Sequence, residues 1–347
     1  MKKVLIGMSG GVDSSVAAKL LKEQGYSVTG ATMLLWNDTE KAAMDANRVC
    51  EHIGIDFITI DFREQFKKSV VDYFINEYIS GRTPNPCIMC NKHLKFGAML
   101  EYAKNNGYDM IATGHYGKIV NNNGVYELHS SKAESKDQSY FLYNFNQHIL
   151  KHTIMPLSEY TKEQVREMAN EWQIPVANKP DSQEICFVND NDYAGFICNN
   201  SDYKPVCGKM LDVNGNEIGT HKGMIYYTIG QRKGIGAFGR PMFVMEMNPQ
   251  QNTITLGEKG MEFSGALVAD NVNYISDIPL TQPEKVQAKI RYQAKKAEAM
   301  LYPLADDRVR LVFDEPQRAI TPGQSVVFYN NDTVIGGGVV VNAENQP

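Results

Sequence analysis

The sequence predicts an α/β domain built on a parallel sheet, followed by two small β-rich modules. Three observations carry that expectation. Apolar runs alternate with helix-periodic segments through the first half of the chain. A Ser-Gly-Gly-Val-Asp-Ser turn joins the first run to the first helical pattern. Beyond about residue 200 the helical periodicity fades, and short alternating segments with Gly and Asn-Gly turns take over. Strands alternating with helices make right-handed βαβ units, hence a Rossmann-like sheet.

The chain has 347 residues, more than one typical domain. Its 43% hydrophobic and 22% charged content is that of a soluble globular protein. No run approaches the ~18 apolar residues of a membrane helix, so no membrane partner is expected. The opening Met1-Lys2-Lys3-Val4-Leu5-Ile6 lacks a small-residue cleavage site and reads as a strand, not a secretory leader. A cytoplasmic location follows as the expectation. The net charge of −5 argues against indiscriminate nucleic-acid binding, although a local basic face suffices to dock RNA. Of the six cysteines (Cys50, Cys87, Cys90, Cys186, Cys198 and Cys207), none is expected in a structural disulfide framework. Working thiols in such a chain are redox-active, catalytic or metal-bound.

Taken in order, Val4 to Ile6 form the first strand, and Ser9-Gly10-Gly11-Val12-Asp13-Ser14 turns into a helix. Glycines let a backbone approach a ligand closely. A helix start offers unpaired N–H groups and partial positive charge to phosphate. No Gly-Lys-Ser/Thr follows and the GxGxxG spacing is missing, so this is neither a Walker loop nor a dinucleotide fingerprint. An ordinary turn of small residues is the plain alternative, but Ser, Asp and two Gly stand where phosphate binding wants them.

Val16, Ala17, Leu20 and Leu21 recur at helical spacing and Gly25 closes that helix. Ser27 to Trp36 reads as a second strand, Asp38 to His52 as a helix, Ile55 to Ile60 as a third strand and Arg63 to about Ile79 as a helix. A further helix ending near Gly107 leads to a strand from Tyr108 to Thr113. Ligands of such sheets bind beyond the carboxyl ends of the strands, where the Ser9–Ser14 loop lies. Met33, near the end of the second strand, suits either an adenine pocket or the core.

Gly81-Arg82-Thr83-Pro84-Asn85-Pro86 breaks the helical pattern, and Cys87-Ile88-Met89-Cys90 opens the next helix. A cysteine in a first helical turn with Lys92 and Lys95 nearby is expected to favour the thiolate. Residues 118–131 suggest a hairpin. Thr161 to Trp172 reads as a helix, with Gln164 three residues after Thr161. Cys186 follows in a loop after Pro180, with small polar neighbours and solvent access expected. The β-rich half reads as modules at 200–262 and 263–347, leaving 1–199 as the nucleotide-binding unit. Arg232, Lys233, Lys289, Arg291, Tyr292 and Lys295 there are either an RNA-gripping face or a solvated charged surface.

The Ser9–Ser14 spelling resembles the PP-loop of ATP pyrophosphatases, which split ATP into AMP and pyrophosphate. With it stand Gly81 to Pro86, Cys90-Asn91-Lys92 with Lys95-Phe96, Ala112-Thr113-Gly114-His115-Tyr116, Lys136 to Leu142, Ile185-Cys186-Phe187, Tyr227 to Gly234, Ile290-Arg291-Tyr292 and Thr321-Pro322-Gly323-Gln324. In this order, over nearly the whole chain, the set resembles the bacterial tRNA-specific 2-thiouridylases. That resemblance implies an adenine nucleotide alpha hydrolase-like first domain. It also implies a reaction: C2 thiolation of the wobble uridine in tRNAs for Lys, Glu and Gln.

Residue by residue, the resemblance implies ATP contacts, with Mg²⁺, from Gly7, Met8, Ser9, Gly10, Gly11, Val12, Asp13, Ser14, Met33 and Gly114. Adenylation of the C2 oxygen releases pyrophosphate. Cys186 accepts a persulfide sulfur from an upstream cysteine desulfurase or sulfur-relay carrier protein. Cys90 is the partner nucleophile, and a Cys90–Cys186 disulfide then needs an external reductant. Asn85, Pro86 and Cys87 face the target base, which leaves its stack at a cost of a few kcal/mol. His115, Lys136, Asp137, Gln138, Arg291, Tyr292 and Gln324 contact the tRNA.

One position departs from the pattern. The family often carries aspartate where this chain has Cys87, which becomes a third relay thiol, a second partner for Cys90, or an inert residue. An alternative has Cys87, Cys90 and Cys186 ligate an iron–sulfur cluster, as in another group of PP-loop tRNA thiolases. Two rivals remain at this level: an amidotransferase-like PP-loop ligase, which has no use for the thiols, and a non-catalytic nucleotide-responsive RNA-binding protein.

Overall fold

A computed structural model describes residues 1–37, 39–181 and 185–344, apart from the side chain of Asn189. Strand β1 (Lys3–Gly7) leads through the glycine turn into α1 (Val12–Glu23), then β2 (Ser27–Leu34), α2 (Thr39–Ile53) and β3 (Asp56–Asp61). The second strand stops at Leu34, two residues short of the expected Trp36. The helix expected over 63–79 is α3 (Arg63–Phe66), a π segment over Lys67–Val71 and α4 (Asp72–Ile79). The next is α5 (Pro86–Cys90), which runs through a π segment at Asn91–Ala98 into α6 (Met99–Asn105). π segments concentrate where a helix has been deformed for a function.

Strand β4 (Met110–Thr113) precedes a hairpin of β5 (Lys118–Asn122) and β6 (Val125–His129). Then come α7 (Gln147–Lys151), β7 (Thr153–Ile154), α8 (Lys162–Glu171) and α9 (Tyr193–Asn199). Helix α8 starts as the sequence asks: Thr161 and Gln164 form a complete capping box. Among the described residues the sheet order is β3-β2-β1-β4-β7, with every pairing parallel. Val4, Leu5 and Ile6 are buried between the helical layers, as a parallel strand covered on both faces should be.

The middle module carries β8 (Gly208–Leu211), β9 (Glu217–His221), β10 (Met242–Asn248) and β11 (Thr253–Glu258) in the order β10-β11-β8-β9. The last holds β12 (Phe263–Tyr274), β13 (Glu284–Lys289), β14 (Ala297–Pro303), β15 (Val309–Arg318), β16 (Ser325–Asn330) and β17 (Thr333–Glu344). The β12–β17 pairing closes these six strands into a barrel around Leu267, Leu311, Phe313 and Phe328. The hairpin of the first unit does not stay at home. β6 pairs with β17, so β5 and β6 extend the barrel sheet. Asn273 seals the same seam, donating to the carbonyls of Tyr143 and Phe145 at 2.7 and 2.8 Å. Among the described residues no helix is long and apolar enough to cross a membrane.

Candidate active site

The glycine turn sits beyond the carboxyl end of β1, and its geometry is one that only glycine tolerates. Gly10 has φ +67°, and a Cβ there would stand 2.6 Å from the Ala42 carbonyl. Gly11 caps α1 with extended φ/ψ and no side-chain cap, leaving the first-turn N–H groups for a ligand. A Cβ on Gly11 would meet only the Ser9 hydroxyl, so the cradle is open on that side. Ser14 folds back, its Oγ accepting from the Ser9 N–H at 3.2 Å and lying 3.2 Å from Ser9 Oγ. Gly114, at the end of β4, presses on the same turn: a Cβ there would come within 2.6 Å of the Ser14 nitrogen. Gly7 to Ser14 and Gly114 therefore form one continuous wall. Met33 pairs with Ile60 in the sheet and is partly buried against the core.

Two lysines that the motif does not contain hold this wall. Lys162, only 6% exposed, donates to both Asp13 oxygens at 2.7 and 2.8 Å and pairs with Asp181 at 2.8 Å. Tyr116 Oη also donates to Asp13, at 2.8 Å. Lys179 bridges the Gly10 carbonyl and Asp45 at 2.9 and 2.8 Å. Its hydrogen bond is the main cause of the lowered Asp45 carboxyl. Arg166 and Lys136 also pair with Asp181, each at 2.9 Å. Burial alone would raise the Asp181 carboxyl, but the Lys162 and Lys136 hydrogen bonds outweigh it and bring it down to about 2. No periodicity or spacing marked Lys162, Lys179 or Asp181. Their partners lie far away in sequence, and only the fold brings them together.

The thiols form a second cluster. Cys87 and Cys186 are exposed and Cys90 is buried, all as free thiols. The expected thiolate at Cys90 is overturned. Burial is the largest influence and pushes the thiol up to about 12, against the opposing pull of Lys95. Cys90 is the last residue of α5 and passes directly into the π segment, so the open helix start lies a turn away at Asn85 and Pro86. Burial also raises Cys87 and Cys186, which touch solvent at the surface of a crowded recess. The three stand close enough that charge on Cys186 or Cys87 disfavours charge on Cys90. Residues 182–184, in the expected loop before Cys186, lie outside the described residues. Among the described residues no group of three or more His, Cys, Asp or Glu side chains is placed to hold a metal ion. A cluster on Cys87, Cys90 and Cys186 thus has no support.

Lys95 links the two clusters. Its charge acts on all three thiols and on His115, beside Gly114. Burial first, then Lys95, hold His115 well below its ordinary range, so it is neutral at physiological pH. His115 Nδ1 lies 2.8 Å from Thr113 Oγ1, and the ring packs on Phe96 at 5.6 Å.

The residues expected at an RNA interface divide by occupation. Asp137 accepts from the Ser131 and Ser139 N–H groups and from the Ser139 hydroxyl, and so organises its own loop. Gln138 and Tyr116 pair through side chain and backbone at 3.0 and 2.8 Å. Arg291 donates to the carbonyls of Arg318 and Ala319. Gln324 donates to the Thr83 and Pro84 carbonyls at 2.8 and 3.4 Å. Each thereby braces the backbone of its own surroundings. Lys136 pairs with Asp181, and Tyr292 packs on Phe141 at 4.5 Å with Lys289 over its ring at 5.5 Å. Asn85 and Pro86 start α5, with Pro86 buried.

Three family models match in succession: a tRNA methyl transferase HUP domain over residues 2–190, a tRNA methyl transferase PRC-barrel domain over 195–258 and an aminomethyltransferase beta-barrel domain over 264–340. Whole-length relatives are similar too. The chain is 52% identical over 353 residues to the tRNA-specific 2-thiouridylase MnmA of Clostridioides difficile, covering 98% of each. It is 52% identical over 355 residues to the protein of the same name from Acetivibrio thermocellus, covering 98% of this chain and 99% of that one.

Proposed function

The chain belongs to the family of tRNA-specific 2-thiouridylases, and from that premise we propose how its own residues carry out tRNA thiolation. The reaction forms 2-thiouridine in tRNA at the expense of ATP. The juxtaposition of the glycine wall with three thiols, joined through Lys95 and His115, is the observation that carries the residue assignments.

Gly7 to Ser14, with Met33 and Gly114, would hold the nucleotide, its phosphates at the free N–H groups of α1. The C2 oxygen of uridine would attack the α-phosphorus of ATP and release pyrophosphate, so that this oxygen can later leave C2 as part of AMP. Lys162 keeps Asp13 aimed beside that wall. Asn85, Pro86 and Cys87 line the approach of the wobble base, on a loop held by Gln324.

Cys186, exposed, receives sulfur from a persulfide donor such as a desulfurase or relay protein. The Cys90 thiolate, once its proton has been removed, attacks the Cys186 sulfur that carries the extra atom. The Cys90–Cys186 bond forms and the terminal sulfur leaves as hydrosulfide, which displaces AMP at C2. An external dithiol gives two electrons and two protons to restore both cysteines.

The test is reconstitution with a persulfide donor, tRNA, Mg²⁺ and ATP, followed by nucleoside mass spectrometry. The reading requires 2-thiouridine together with pyrophosphate release that depends on tRNA. Pyrophosphate release without any sulfur in the nucleoside would instead favour a PP-loop ligase.

A further inference from the structure

The middle module carries a glycine-flanked loop over residues 228–234. It lies where all three modules meet. Thr83 donates its N–H to the Pro322 carbonyl at 2.9 Å, and its hydroxyl lies 3.4 Å from that of Thr228. Gly230, at φ +82°, packs so closely on the barrel that a Cβ would come within 2.5 Å of Ala319 Cβ. Ala319 is itself gripped through its carbonyl by Arg291.

The loop is rigid within itself as well. Gln231 Oε1 accepts from the Thr228 N–H at 2.9 Å, and its Nε2 donates to the Lys233 carbonyl at 2.9 Å. Gly230 and Gln231 exchange backbone hydrogen bonds with Val244 at 2.8 and 3.0 Å. At the tip of this fixed scaffold, Arg232 and Lys233 are exposed. Among the described residues neither takes part in an ion pair, although most cations around the glycine turn do. Further positive charge stands near Ala319: Arg291 donates to the Arg318 and Ala319 carbonyls, and Arg318 pairs with Glu262 at 3.3 Å. In a chain of net charge −5, two adjacent exposed cations with no carboxylate partner suit a polyanion.

We propose that Arg232 and Lys233 form a phosphate clamp for the backbone of the substrate tRNA, held in fixed register with the start of α5 (Asn85 to Cys87) through Thr83. The clamp rests on the thiolation reading and adds to it a contact from the middle module. A pre-ordered loop loses little entropy on binding, and phosphate contacts orient a nucleic acid without reading its sequence. The base would then be delivered to Cys87 by a backbone gripped next door.

The experiment measures tRNA affinity against salt concentration for the wild type, R232A/K233A, and the charge-matched control K204A/K259A. Losing two phosphate contacts should lower the slope of log K against log salt by roughly 1.4 to 2. The control should leave both this slope and the tRNA affinity unchanged. A wild-type slope in R232A/K233A, or an equal fall in the control, overturns the clamp. Absence of tRNA binding by the wild type would instead sink the thiolation reading itself, so the two failures are distinguishable.

Discussion

The glycine turn and the thiol cluster sit close together yet are built on opposite principles. Around the turn, charge is abundant and paired: Asp13, Asp45 and Asp181 each meet one or more of Lys162, Lys179, Lys136 and Arg166. Around the thiols, burial dominates, and Lys95 is outweighed at each cysteine. One region is held ready for an anion. The other holds its nucleophiles protonated until they are needed. A thiol kept from ionising at rest resists stray oxidants, since the thiolate is the reactive species.

Cutting the chemistry from the scaffold gives the largest effect. C186S and C90S should each abolish 2-thiouridine formation while shifting the thermal midpoint little, as read by nucleoside mass spectrometry beside a melting curve. Either variant retaining wild-type product would break the division between a phosphate region and a sulfur region.

K162M comes next. It leaves Asp13 and Asp181 without their buried partner, at a cost on the order of 3 kcal/mol. The urea midpoint should fall with an unchanged m-value. KM for ATP should rise, since Asp13 loses its aim.

The acid limb sharpens the same contrast. The folded Asp181 carboxyl is at about 2 against an ordinary 3.8. Its contribution is present above 3.8 and is lost as pH falls towards 2, because the unfolded chain takes up the proton first. The group is partly exposed, so the contribution is about 1 kcal/mol after screening. D181N should therefore destabilise at pH 7 and flatten the acid limb between those values, measured by urea unfolding across pH. The smallest effect is kinetic: alkylation of Cys90 should be slow at pH 7 and climb steadily as pH approaches about 12.

Much of this was legible in the sequence, for reasons that differ by region. The turn could be read because phosphate binding needs a glycine where φ is positive and a helix directly after it, both local demands met by Gly10 and Val12. The capping box at Thr161 is local in the same way. The state of Cys90 could not be read, because it depends on how deeply packing buries it. Lys162 looked like any first-turn lysine until the fold placed Asp13 and Asp181 against it. Gln324 matched a motif for RNA contact, and only the structure reveals its amide holding the loop that starts α5. The hairpin was visible as a hairpin, but its pairing with β17 spans about two hundred residues, beyond the reach of any local pattern.

The most direct test of the account is intact-protein mass spectrometry through a single turnover. The protein is first loaded by a persulfide donor, then given tRNA and ATP without reductant. One extra sulfur should sit on Cys186 before turnover and a Cys90–Cys186 disulfide should form afterwards, in step with 2-thiouridine. Product formed while both cysteines stay reduced, or a disulfide that bypasses Cys90, would contradict it.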